Sequence, residues 1–183
     1  YLSEWHYKNI VTTGIRLGEM DWVHNFIEQY RESLEPEARE NAYRFNLASY
    51  YYAVGHFDGV LELLTKVEYS DLRYNLGARA LLLRTYYDLG EYEALRSLRD
   101  SFKQYLLRNK LMSDSRREGY YNLFKFTHRA ALLKMRVDYS SAESLNKDLS
   151  RLKRAVDASD AIFNRPWLLE KIGEIEEEVF SLR

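Results

Sequence analysis

The chain of 183 residues contains no cysteine, 2 prolines and 8 glycines. Without cysteine there is no disulfide framework, no iron–sulfur cluster and no thiolate zinc site. So little proline and glycine argues against a turn-dense all-β fold. No run of 18 apolar residues occurs, so no segment is expected to span a membrane. No basic–apolar–small leader precedes the body of the chain, which starts at Tyr1 and reads as a piece of a longer protein. The motifs of common chemistries are missing too. None of His6, His24, His56 and His128 sits in a HExxH pattern, the glycines do not cluster into a phosphate loop, and G-x-S-x-G is absent. Asp21 and His24 stand three apart, close enough on a helix to share a metal, but no second pair repeats them. The expectation is a chain that is not an enzyme and holds no cofactor or metal. A cytoplasmic location is expected, although a cysteine-free chain folds in either redox setting.

What the chain does have is a pattern. It is 46% hydrophobic and 30% charged, too apolar to stay disordered. Three stretches superpose: Leu17-Gly18-Glu19-Met20-Asp21, Val54-Gly55-His56-Phe57-Asp58 and Leu89-Gly90-Glu91-Tyr92-Glu93. The glycines lie 37 and 35 residues apart, a period that signals a repeat array. Phe45, Leu47, Ala48, Tyr51 and Val54 before Gly55, and Val60, Leu61, Leu64 and Val67 after it, fall on helical spacings. Each unit therefore reads as helix, tight turn at glycine, helix, because glycine accepts the positive φ that often ends a helix. A fourth copy near Val137 to Leu145 has no glycine.

Polar breaks separate the units: Ser33-Leu34-Glu35-Pro36, Ser70-Asp71, Ser113-Asp114-Ser115 and Ser140. Ser115 with Glu118, and Ser140 with Glu143, have capping-box spacing. Asn164-Arg165-Pro166 opens a last helix, in which Leu168, Ile172, Ile175 and Val179 make one apolar stripe. About nine helices are expected in a single all-α domain over 1–183. Repeats cover 4–36, 40–71, 72–110 and 115–160, and 165–181 caps the end. No Gly/Ser/Pro linker interrupts the array. If a preceding segment is missing from the N-terminal end, Trp5 and Trp22 are expected to be left partly uncovered there.

The pattern resembles the tetratricopeptide repeat family. The residues that carry the match are Leu47, Ala48, Tyr51, Gly55, Phe57 and Leu64, then Tyr86, Gly90 and Tyr92, with Pro36 at the family's closing proline. Departures are the missing early tryptophan and Val23, Val60 and Leu95 where the family has a small alanine. The resemblance implies a right-handed α-solenoid of stacked antiparallel helix pairs, with a concave face lined by first helices. It further implies a scaffold that binds a peptide or protein segment there. The family register turns Tyr51 and Tyr86 between paired helices, and Tyr52 and Tyr87 toward the concave face. Some members grip a partner's terminal carboxylate through a Lys/Asn clamp. Lys8 and Asn46 match two of its positions, but Thr12, Gly77 and Leu81 cannot supply the missing Asn, Lys and Arg, so the set does not amount to a clamp.

On that face the candidate partner contacts are Lys8, Asn9, Thr12, Arg16, Asn46, Ser49, Tyr52, Arg84, Tyr87, His128 and Lys134. Tyrosine is abundant, 16 residues, and gives contact area and a hydroxyl at low entropy cost. Charge is uneven: residues 1–71 carry 6 basic and 12 acidic side chains, residues 96–136 carry 11 basic and 3 acidic. An acidic partner, or self-association of opposite halves, fits that asymmetry. Nucleic-acid binding through 96–136, with Tyr105, Tyr120, Tyr121 and Phe124 as stacking rings, is the alternative. The near-neutral pI of about 6.5 weighs against it.

Overall fold

The computed structural model describes residues 1–69 and 72–182, with the side chains of 72 and 73 excepted. The expected break at Ser70-Asp71 lies outside the described residues. Among those described there are nine α-helices and no strand. They are α1 (Glu4–Arg16), α2 (Met20–Gln29), α3 (Arg39–Ala53), α4 (Phe57–Leu64), α5 (Leu72–Leu89), α6 (Tyr92–Arg108), α7 (Asp114–Arg136), α8 (Ala142–Asp157) and α9 (Arg165–Ser181). A single 3-10 turn, Arg31–Ser33, links α2 to α3. No helix among the described residues is long and apolar enough to cross a membrane.

Gly18, Gly55 and Gly90 sit in equivalent turns, with φ of 76°, 79° and 72°. Each glycine N–H donates to the carbonyl three residues back: Ile15, Tyr52 and Tyr87. The next N–H donates to the carbonyl five back: Gly14, Tyr51 and Tyr86, at 3.0, 2.8 and 2.9 Å. This is the Schellman pattern, which satisfies two carbonyls that the helix end would otherwise leave bare. The fourth turn solves the same problem differently. Tyr139 and Ser140 both donate to the Arg136 carbonyl, and no positive φ is needed.

Two of the expected caps shift. Ser113, not Ser115, caps α7 by accepting the Arg116 N–H, and Ser141, not Ser140, caps α8 by accepting from Ser144. In each case serines crowd the loop and any could cap. Ser140 is instead engaged by the Arg136 guanidinium.

The chain divides into two compact units, residues 1–85 and 86–183. The division falls inside α5, so no linker composition marks it. In the first unit α1 packs on α2 and α3, α2 on α3, and α3 on α4. Its core contains Tyr7, Val11, Ile27, Leu34, Ala42 and Leu64. Gly14 lets α1 and α2 approach closely: a Cβ there would come within 2.4 Å of Val23 Cγ2. The Tyr7 hydroxyl donates to the Ile27 carbonyl at 2.8 Å and ties the same two helices.

In the second unit α7 packs on α6, α8 and α9, and α8 on α9. The α9 stripe of Leu168, Ile172, Ile175 and Val179 is almost wholly buried. Sealing such a side chain contributes about 1.5–3 kcal/mol of transfer free energy. Asn164, at φ 54°, turns the chain into α9, and Pro166 stands in its first turn where no N–H is required.

Candidate functional site

The first unit carries eight of the candidate contacts. The buried face of α1 is Tyr7, Val11 and Gly14, so neighbouring positions turn outward. Lys8, Asn9 and Arg16 are exposed and Thr12 is half-buried. Lys8 Nζ lies 5.8 Å from the Phe45 ring centroid, on α3. Tyr52, at the end of α3, is half-buried with the Arg84 guanidinium 4.7 Å from its ring centroid and Phe57 5.5 Å away. Ser49 is half-buried and donates to the Phe45 carbonyl at 3.0 Å. Asn46 departs from expectation. It is 2% exposed, and its Nδ2 donates to the Ala42 carbonyl at 2.8 Å. Neighbouring Ala42, Phe45, Leu47 and Ala48 are buried as well, so the α3 surface where Asn46 lies is covered and cannot meet a partner backbone.

Tyr87, His128 and Lys134 belong to the second unit. Tyr87 also departs from expectation, being 1% exposed. Its ring is boxed by Trp167 of α9 at 5.6 Å and by Tyr92 at 6.4 Å. Lys134 Nζ stands 5.4 Å from its centroid. Burial pushes the Tyr87 phenol far above its ordinary value. Helical periodicity places Tyr87 correctly on α5 but is blind to the distant α9 that covers it. Beside it, Lys171 of α9 pairs with Asp88 at 3.0 Å, both side chains 13% exposed. Burial alone would lower the Lys171 ammonium, but the Asp88 hydrogen bond and charge outweigh it and hold it above its usual value.

His128 is half-buried and meets Arg99 at 3.0 Å. A guanidinium only donates, so His128 Nδ1 accepts, which requires the neutral ring with its proton on Nε2. Burial first, and then the Arg99 charge, hold this imidazole below its ordinary value. Arg99 also binds Asp100, whose carboxyl is held below the usual range by that hydrogen bond.

Two surfaces stand out from the geometry. One is an open groove of about 640 Å³ between α1 and the start of α2, lined by Trp5, Asn9, Ile10, Leu17 and Trp22. Trp5 is 65% exposed, Trp22 52% and Leu17 71%. Of the candidates only Asn9 lines it. Trp5, Asn9, Thr13 and Leu17 recur every fourth residue, which is the signal in the sequence for the remainder of the groove. The other surface lies between α6 and α7, where two adjoining hollows of about 120 and 360 Å³ share Lys103, Leu106 and Tyr121.

The stacking rings of the nucleic-acid alternative are mostly inside. Tyr120 is 5% exposed and Phe124 2%, Tyr105 is half-buried, and Tyr121 reaches the surface at 37%. Several cations of 96–136 serve the fold: Arg117 donates to the Asn109 and Met112 carbonyls, and Arg136 to Asp148 and Ser144. His24 stacks on Tyr50 at 5.1 Å and lies 4.0 Å from Glu28. No group of three His, Asp or Glu side chains among the described residues converges as a metal site would require. No known protein family, curated protein or solved structure matches this chain.

Proposed function

We propose that the chain is a non-enzymatic protein-interaction scaffold, a tetratricopeptide-like pile of helix hairpins that binds a peptide or protein segment. The groove of α1 and α2 carries this reading. Two tryptophans and a leucine stand in water around a hollow large enough for several side chains. Tryptophan is enriched among the residues that dominate binding energy, and exposed apolar patches mark docking surfaces. Asn9 supplies a polar contact at the groove. Lys8, Thr12 and Arg16 stand outside its lining on the same helix, and the Tyr52–Arg84 pair adds a second patch. Asn46 and Tyr87 take no part.

The hairpin pile is supported by the three equivalent Schellman turns. It is supported too by helix contacts that repeat in kind: α1 meets α2 and α3 as α7 meets α8 and α9. The test is a selection of peptides from a displayed random library on the wild-type chain. The recovered peptides should carry two or more large apolar residues at helical spacing. Trp5→Ala and Trp22→Ala together should weaken them at least tenfold. Peptides that bind the double variant equally well would remove the groove from the reading.

A further inference from the structure

The α6–α7 surface has a floor of apolar side chains and an edge of cations. Phe102, Leu106 and Phe124 form the floor, each no more than 3% exposed. Leu107 at 63% exposure and Tyr121 at 37% stand up from it. Lys103 and Lys125 are exposed on its edge, and Lys125 Nζ lies 6.0 Å from the Tyr121 ring centroid. Residues 114–125 of α7 run along one wall, an eleven-residue step of about 16 Å on a helix.

The outer face of α9 is the complement. Leu169 is 45% exposed and Phe180 71%, and both fall on one line with Gly173, where an added Cβ would meet nothing. Leu169 and Phe180 are also eleven residues apart. At 100° per residue, Glu176 borders that line on one side, and Glu170 and Glu177 border it on the other. These three carboxylates are exposed, with Glu176 also held by Lys153. Over its length α9 has 5 acidic and 2 basic residues. The apolar line would lie on Leu107 and Tyr121, Gly173 would let a ring approach the helix backbone, and the carboxylates would meet Lys103 and Lys125. Asp100, Asp114 and Glu118 also line the hollows, but Arg99 pairs with Asp100 and Arg117 with Asp114, which leaves Lys103 and Lys125 as the cations facing a partner.

We propose that the α6–α7 groove receives the outer face of α9 from a second copy of this chain. Charge complementarity selects this occupant over a nucleic acid, because the groove offers one surface ring where stacking would need several. The two patches differ, so the pairing closes when two copies reciprocate and otherwise propagates. This interface is separate from the tryptophan groove and does not depend on what binds there.

Sedimentation of the whole chain at 50 and 500 mM salt tests the proposal. Self-association should be present at low salt and weaken at least tenfold at high salt. Lys103→Glu with Lys125→Glu should be monomeric, as should Glu170→Lys with Glu177→Lys. These side chains are exposed, so both variants should keep the wild-type circular dichroism. An equimolar mixture of the two variants should associate again, because each mismatched groove then meets a helix of opposite charge. Phe180→Ser should weaken assembly with no change of charge. A wild-type chain monomeric at hundreds of micromolar and 50 mM salt overturns the proposal. So does an assembly indifferent to the mixture. Monomeric wild type that binds a single-stranded oligonucleotide through Lys103 and Lys125 would assign the groove to nucleic acid instead.

Discussion

Tyr52 and Tyr87 stand at the same position of their repeats, three residues before a turn glycine, yet their surroundings differ. Tyr52 is half-buried under an arginine, while Tyr87 is sealed by Trp167, Tyr92 and Lys134. A repeated local pattern fixes where a side chain leaves its helix. What lies over it is set by elements far along the chain, here α9. A half-buried position in one repeat becomes a core position in another, and the same mutation has two different meanings.

The largest expected effect follows from that contrast. Tyr87→Ala should lose about 3–5 kcal/mol of stability, as large-to-small substitutions of buried aromatic residues do. Tyr52→Ala should lose only about 1 kcal/mol, the scale of a partly exposed ring and its cation contact. Urea denaturation followed by circular dichroism measures both, and equal losses would break the distinction. Tyr87→Phe sharpens it. The Tyr87 hydroxyl has no hydrogen-bond partner among the described residues, so removing it should leave stability unchanged or raise it.

A middle-sized effect tests what the two regions share. Gly55→Ala and Gly90→Ala place a side chain at positive φ, with open space around it. Each should cost about 1–2 kcal/mol by backbone strain alone. The two losses should match; a neutral result at either would mean that its turn is not held as the others are.

The smallest effect concerns pH. Folding holds His128 below its ordinary value, through burial and then Arg99, with Asp100 partly opposing. The folded chain therefore binds fewer protons than the unfolded one in this range. Its stability is full above the unfolded pKa and is lost as pH falls through the folded one. The melting temperature should decline between pH 7 and 5.5, and His128→Gln should flatten that decline. An unaltered slope in the variant would show that His128 is as accessible folded as unfolded.

Much of the fold was legible because it is local. Helical spacing, turn glycines and the Leu168-to-Val179 stripe each depend on residues within a few turns of one another. The caps of α7 and α8 are not legible, because neighbouring serines compete and loop packing picks the winner. The burial of Asn46 and Tyr87 comes from tertiary cover, which no periodicity records. The tryptophan groove was half legible. Trp5, Asn9, Thr13 and Leu17 share one helix face in the sequence, but the hollow beside them depends on Gly14 admitting Val23, a close approach that spacing does not reveal.

The three tryptophans are unevenly shared: Trp5 and Trp22 stand in solvent on the first unit, and Trp167 lies half-buried against Tyr87 in the second. Their ultraviolet emission should therefore split into a long-wavelength part from residues 1–85 and a shorter-wavelength part from 86–183. The chain thus carries two intrinsic dyes, by which the opening of either half can be followed without a label.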